Sequence, residues 1–119
     1  MDAETYLNSL EPIGWKLGLE RMELLSDELG RPQDRFESVH VVGTNGKSSV
    51  TRMTSALLTA HGRRSGCSVS PHLHRWSERV LIDGEEIGAE AFSSAVETVA
   101  AAAGRVNERL EGDERVAQF

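Results

Sequence analysis

Several stretches of the chain carry apolar residues at helical intervals, and the segments between them read as short strands and turns. Residues 3–10 place Tyr6, Leu7 and Leu10 on one side of a short helix that Pro12 stops. From Gly18 to Leu29, the residues Leu19, Met22, Leu25 and Leu29 recur at helical spacing, and Gly30 followed by Arg31-Pro32 is a helix stop. Pro32 to Glu37 is a polar link. Val50, Met53, Thr54, Leu57, Leu58 and His61 fall on one face of another helix, expected to be buried from Ser49 to about His61 and closed by Gly62. Phe92, Ala95, Val96, Val99, Ala100, Ala103, Val106 and Leu110 form the stripe of a longer one that starts at Gly88-Ala89-Glu90.

The strand signals lie between these helices. Val39, Val41 and Val42 are β-branched and suit a buried parallel strand, with His40 as an interruption. Gly66-Cys67-Ser68-Val69 can form a second strand, so the segment between them predicts a right-handed parallel crossover. Val80 to Ile87 reads as a hairpin that turns at Asp83-Gly84. Glu111 to Glu114 is a charged turn, and Arg115 to Phe119 starts a further element. The fold expected is α/β: a phosphate-loop type of parallel sheet flanked by helices, with a β-hairpin. Residues 1–36 would be N-terminal helices and residues 37–119 the α/β portion.

Chemistry concentrates where the valine segment meets the third helix. In Gly43-Thr44-Asn45-Gly46-Lys47-Ser48-Ser49 the glycines let main-chain N–H groups close on an anion with no Cβ in the way. Lys47 adds a point charge, Ser48 or Ser49 offers a hydroxyl to a magnesium ion, and the helix start aims unpaired N–H groups at the same phosphate. The spacing differs from the general G-x-x-x-x-G-K-[ST] pattern, because Gly43 and Gly46 enclose only Thr44 and Asn45. Thr44-Asn45-Gly46 alone could be a simple turn, but such a turn has no use for Lys47-Ser48-Ser49.

A second unusual segment, Ser70 to Arg79, would emerge at the same end of the sheet. It holds His72, His74, Arg75, Arg79 and Trp76, where a plain connector would be short and rich in Gly, Asn or Ser. Arginine suits carboxylate or phosphate, and tryptophan can stack on a flat ring. The alternative is a solvated loop with Trp76 covering core. His72 and His74 could share a metal, although no third ligand stands nearby. Trp15 reads as a core plug.

Composition narrows the partners. A net charge of −6 argues against duplex nucleic acid, and no apolar run approaches the roughly 20 residues of a membrane helix. The start, Met1-Asp2-Ala3-Glu4, lacks the basic and apolar regions of a signal peptide, so a cytoplasmic location is the expectation. Cys67, the single cysteine, excludes an internal disulfide and is expected to pack as a small buried residue.

Taken together, Gly18-Leu19-Glu20-Arg21-Met22, His40 to Lys47, Ser70-Pro71-His72-Leu73, Glu78-Arg79-Val80, and Asp83-Gly84-Glu85 with Ile87 resemble, in order and approximate spacing, the folylpolyglutamate and dihydrofolate synthases of the Mur ligase superfamily. The resemblance spans positions 18 to about 92. It implies an ATP-dependent ligase that activates a folate or dihydropteroate carboxylate as an acyl phosphate, which the amine of L-glutamate then attacks. Gly43, Thr44, Asn45, Gly46 and Lys47 would cradle the triphosphate, with Lys47 as the catalytic charge, and Ser49 or Ser48 would bind Mg2+. Ser70, Pro71, His72, Leu73 and Arg79 would help shape the folate pocket. Many members of the family have Gly and then Ser after the lysine, whereas position 48 here is Ser.

Members of the family are several times longer, so the expectation is an N-terminal part of the ATP-binding domain, inactive alone. Its unpaired sheet edge would invite self-association. The competing readings are a stand-alone nucleotide- or folate-binding module and a fragment of a Mur-type cell-wall ligase.

Overall fold

The computed structural model describes residues 2–10 and 19–111. The expectations at Pro12, Trp15 and Gly18, and those beyond Glu111, lie outside these residues. The chain divides into two compact units, residues 1–38 with 93–119 and residues 39–92.

In the first unit, helix α1 (Ala3–Ser9) opens as its sequence predicts. Asp2 caps it by accepting from the Thr5 amide at 3.0 Å and the Thr5 hydroxyl at 2.6 Å, which satisfies an amide that the helix leaves without a partner. Helix α2 (Glu20–Glu28) ends at the predicted stop: the Gly30 amide donates to Asp27 at 3.0 Å and the Arg31 amide to Ser26 at 2.8 Å. Arg31 then takes a left-handed φ of 53° and pairs with Asp27 and Asp34. The polar link contains a 3₁₀ turn, Pro32–Arg35.

The core of this unit joins α2 to helix α4 (Ala89–Leu110). Leu25 packs with Ala102 and Ala103, and Leu29 packs against that cluster. Glu28 receives Arg105 and Arg109 beside it. Ala102, fully buried, lies off the predicted stripe, whereas Val99 on it is 39% exposed. Ala103, Val106 and Leu110 of the predicted stripe are buried, so its C-terminal half is turned inward together with Ala102.

In the second unit, helix α3 (Lys47–Ala60) is followed by strands β1 (Gly66–Ser68), β2 (Val80–Ile82) and β3 (Glu85–Glu86) in one antiparallel sheet, ordered β1-β2-β3. The hairpin turns at Asp83-Gly84 as expected, with φ of 50° and 90°, the sign pair that matches strand twist. Asp83 also braces the start of β1, accepting from the Ser65 amide at 2.8 Å and donating its own amide to the Ser65 carbonyl.

Four expectations change here. Residues 39–42 form no strand, and the parallel crossover through α3 is absent among the described residues; β1 pairs antiparallel with β2 instead. A central parallel strand needs neighbours on its edges and cover on both faces. The described residues supply neither, so Val39 is 70% and Val42 76% exposed. The apolar face of α3 is likewise open, with Met53 57% and Leu57 62% exposed. What α3 buries is its hydroxyl face. Ser55 Oγ lies 2.7 Å from Ser65 Oγ, and the half-buried Thr59 Oγ1 lies 3.0 Å from the same atom, so the buried Ser55 and Ser65 hydroxyls have partners. Cys67 is half-buried rather than buried. Among the described residues no helix is long and apolar enough to cross a membrane.

Candidate functional site

The loop entering α3 takes its shape from two glycines. Gly43 has a φ of 151° and Gly46 of 76°, conformations that L side chains rarely adopt. A Cβ on Gly46 would meet no atom within 4 Å, so the backbone there faces open space. Gly46 is the N-cap of α3 and provides no side-chain cap, and the first turn contains no acidic residue. The amides of Lys47, Ser48 and Ser49 therefore have no acceptor within the helix, while the Val50 amide reaches the Gly46 carbonyl at 2.9 Å. Lys47 folds back over the loop and donates from Nζ to the Gly43 carbonyl at 2.8 Å. That bond occupies one of three ammonium donors and keeps the charge on the loop. Thr44 and Asn45 are exposed between the glycines. An uncapped helix start, an open glycine backbone and one cation in the same loop fit a phosphate group, and a nucleotide polyphosphate could be held by Gly43 to Ser49.

The second predicted segment meets this loop. Ser48 Oγ donates to the Ser70 carbonyl at 3.2 Å, across 22 positions of sequence. The Ser70–Pro71 peptide bond is cis. Beyond it, the Glu78 carboxylate accepts from the amides of Leu73 at 2.7 Å, His74 at 3.1 Å and Arg75 at 3.1 Å. These bonds favour the ionised form, the Leu73 amide most, and hold the Glu78 carboxyl below its ordinary pKa.

Arg79 Nε donates to His72 Nδ1 at 2.7 Å, and the guanidinium lies 4.4 Å from the centre of the Trp76 ring. The His72 and Trp76 rings are 4.7 Å apart. Accepting at Nδ1 leaves the His72 proton on Nε2. His72, Arg79 and Trp76 thus form one packed group, while Leu73 is 83% exposed. Among the described residues no cluster of His, Cys, Asp and Glu could hold a metal, so His72 and His74 do not make one. A magnesium ion would depend on the hydroxyls of Ser48 and Ser49 together with nucleotide oxygens.

Reasoning from sequence missed the two carboxylates that organise this segment. In the sequence Glu78 stands only within the Glu78-Arg79-Val80 motif, although a glutamate three residues after the start of a turn can reach back to its amides. Glu86 carried no signal, because its partners come from another element. It accepts from Arg75 at 2.8 and 2.9 Å and from the Ser77 hydroxyl at 2.5 Å.

Those bonds, Arg75 first and Ser77 second, bring the Glu86 carboxyl from an ordinary 4.5 to about 2. With the folded value depressed, the contribution of Glu86 to stability is complete above pH 4.5 and is lost as pH falls through about 2. Stability should therefore drop across that window, with Glu86→Gln removing this part of the pH dependence. The Arg75 side chain is 60% exposed, so added salt should shrink the effect. A carboxyl-carbon NMR titration is the check, and a Glu86 midpoint at the ordinary value would contradict the pairing.

No protein-family model matches the chain. It is 52% identical over 69 residues, 58% of its length, to the dihydrofolate synthase/folylpolyglutamate synthase of Mycobacterium tuberculosis, 14% of which is matched. It is 34% identical over 114 residues, 96% of its length, to the folylpolyglutamate synthase of Lacticaseibacillus casei, 26% of which is matched. The chain thus spans about a seventh to a quarter of the length of these relatives. Its α/β fold matches solved structures too. Against a Mycobacterium tuberculosis folylpolyglutamate synthase complexed with ADP the TM-score is 0.82 at 33% identity, covering 98% of this chain and 27% of that one. Against an FPGS–AMPPCP–folate complex it is 0.85 at 33% identity, covering 98% and 28%.

Proposed function

The chain belongs to the folylpolyglutamate synthase/dihydrofolate synthase family, and on that premise we propose that residues 1–119 form the N-terminal part of the ATP-binding domain of a folate–glutamate ligase. The observation that carries this reading is the Gly43–Lys47 loop, which brings Lys47 and three uncapped amides to one point. The ADP and AMPPCP complexes of similar proteins support it. Gly43, Thr44, Asn45, Gly46, Lys47, Ser48 and Ser49 hold the polyphosphate, and Lys47 offsets its charge through positioning and electrostatics. Ser49 or Ser48 contributes a hydroxyl to Mg2+. ATP supplies the phosphoryl group that activates the folate carboxylate for attack by L-glutamate.

Ser70, Pro71, His72, Leu73 and Arg79 form the part of the folate pocket next to the nucleotide. The packing of Arg79 on Trp76 gives this wall a flat cationic surface, suited to an aromatic ring that carries carboxylates. Ligation needs further parts of the enzyme, since the chain matches so small a share of its relatives. Val39–Val42 and the open face of α3 are where neighbouring strands of a parallel sheet pack. A structure of a longer protein with this sequence in which Val41 lacked a parallel neighbour would overturn that point.

Calorimetry of the 119-residue chain with magnesium and AMPPCP tests the nucleotide reading. Expected is binding with a Kd between about 1 μM and about 1 mM, and no glutamate-dependent phosphate release when ATP and folate are supplied. Absence of heat at millimolar nucleotide, or ligation by this chain alone, would sink the proposal.

A further inference from the structure

We propose that Ser48 is a positioning residue that couples nucleotide occupancy of the Gly43–Lys47 loop to the conformation of the Ser70–Arg79 segment. The inference rests on the reading of that loop as a nucleotide site. Ser48 is the second residue of α3, so its amide belongs to the uncapped helix start, while its hydroxyl donates to the Ser70 carbonyl at 3.2 Å. A serine hydroxyl has one hydrogen to donate and two lone pairs. The hydrogen is committed to Ser70, and the lone pairs remain for a cation or a donor on the phosphate side. The Ser48 hydroxyl would donate more strongly to Ser70 if its oxygen also held a cation, because such interactions in a chain reinforce one another.

What lies beyond Ser70 is tied into a block. Glu78 clamps the amides of Leu73, His74 and Arg75, and Arg79 bridges His72 and Trp76. Restraint applied at Ser70 therefore reaches the aromatic and cationic face of the segment instead of being absorbed by a slack loop. A glycine at position 48 could contribute an amide to phosphate but no such link. Serine there gives the chain a contact that the nucleotide amides alone do not require.

Trp76 reports the coupling. Trp15→Phe leaves Trp76 as the single tryptophan of a sequence that has two. In that background, acrylamide quenching of Trp76 should fall when magnesium and AMPPCP are added. Ser48→Ala should raise quenching without ligand and abolish the fall with ligand, while Ser48→Thr, which keeps the hydroxyl, should restore both. Circular dichroism verifies that α3 persists in each variant, and calorimetry on the same samples records nucleotide binding. If wild type and the Ser48→Ala variant both bind nucleotide and Trp76 quenching falls equally in the two on binding, the coupling is overturned while the nucleotide reading stands. If no variant gives heat with nucleotide, the nucleotide reading falls and the coupling with it.

Discussion

Replacing Lys47 with alanine should weaken the binding of magnesium and AMPPCP by about 10- to 150-fold, the range for losing a hydrogen bond to a charged group, while leaving thermal stability nearly unchanged. Affinity and stability separate because the ammonium has different partners in the two contexts. In the protein itself Lys47 makes one exposed bond to the carbonyl of Gly43 in its own loop, and exposed contacts of that kind contribute little to folding. Toward a polyphosphate it would be the single cation in the loop, beside amides that carry only partial charge. Lys47→Arg should recover only part of the affinity, since a planar guanidinium fork does not reproduce a compact point charge over a tight loop. Parallel calorimetric titrations of the three proteins decide the matter. Equal affinities would remove Lys47 from the site.

Leu25→Ala should have the largest effect on folding, costing about 2–5 kcal/mol where a domain of this size has about 5–15 kcal/mol in total. Leu25 is 7% exposed and packs on Ala102 and Ala103, which are 0% and 4% exposed, so the deletion leaves a gap that neighbours as small as alanine cannot fill. Met22, on the same helix and 50% exposed, is the control: Met22→Ala should cost less than about 0.5 kcal/mol. Urea unfolding of both variants separates them. Similar losses would mean that α2 does not dock on α4 through Leu25. Glu28 sharpens the contrast, because its two arginine partners survive both substitutions and cannot account for a difference.

The parts of the protein legible in its sequence are those set by neighbours along the chain. The stop at Gly30-Arg31, the turn at Asp83-Gly84 and the extent of α3 each depend on contacts a few residues apart, for which residue identity is sufficient information. The phosphate-type loop belongs with them, because two glycines, a lysine and a helix start act within one turn of backbone. Tertiary structure alone decided which face of α3 is covered. Helical periodicity marked Val50, Met53 and Leu57 as inward, yet the Ser55 side is buried, since Ser65 supplies its hydrogen-bond partner from beyond the helix. It also decided that β1 lies antiparallel to β2, that Ser48 meets Ser70, and that Glu78 and Glu86 organise the segment between them. These pairings join positions distant in sequence, and local pattern has no means of stating which donor will face which acceptor once the chain has closed.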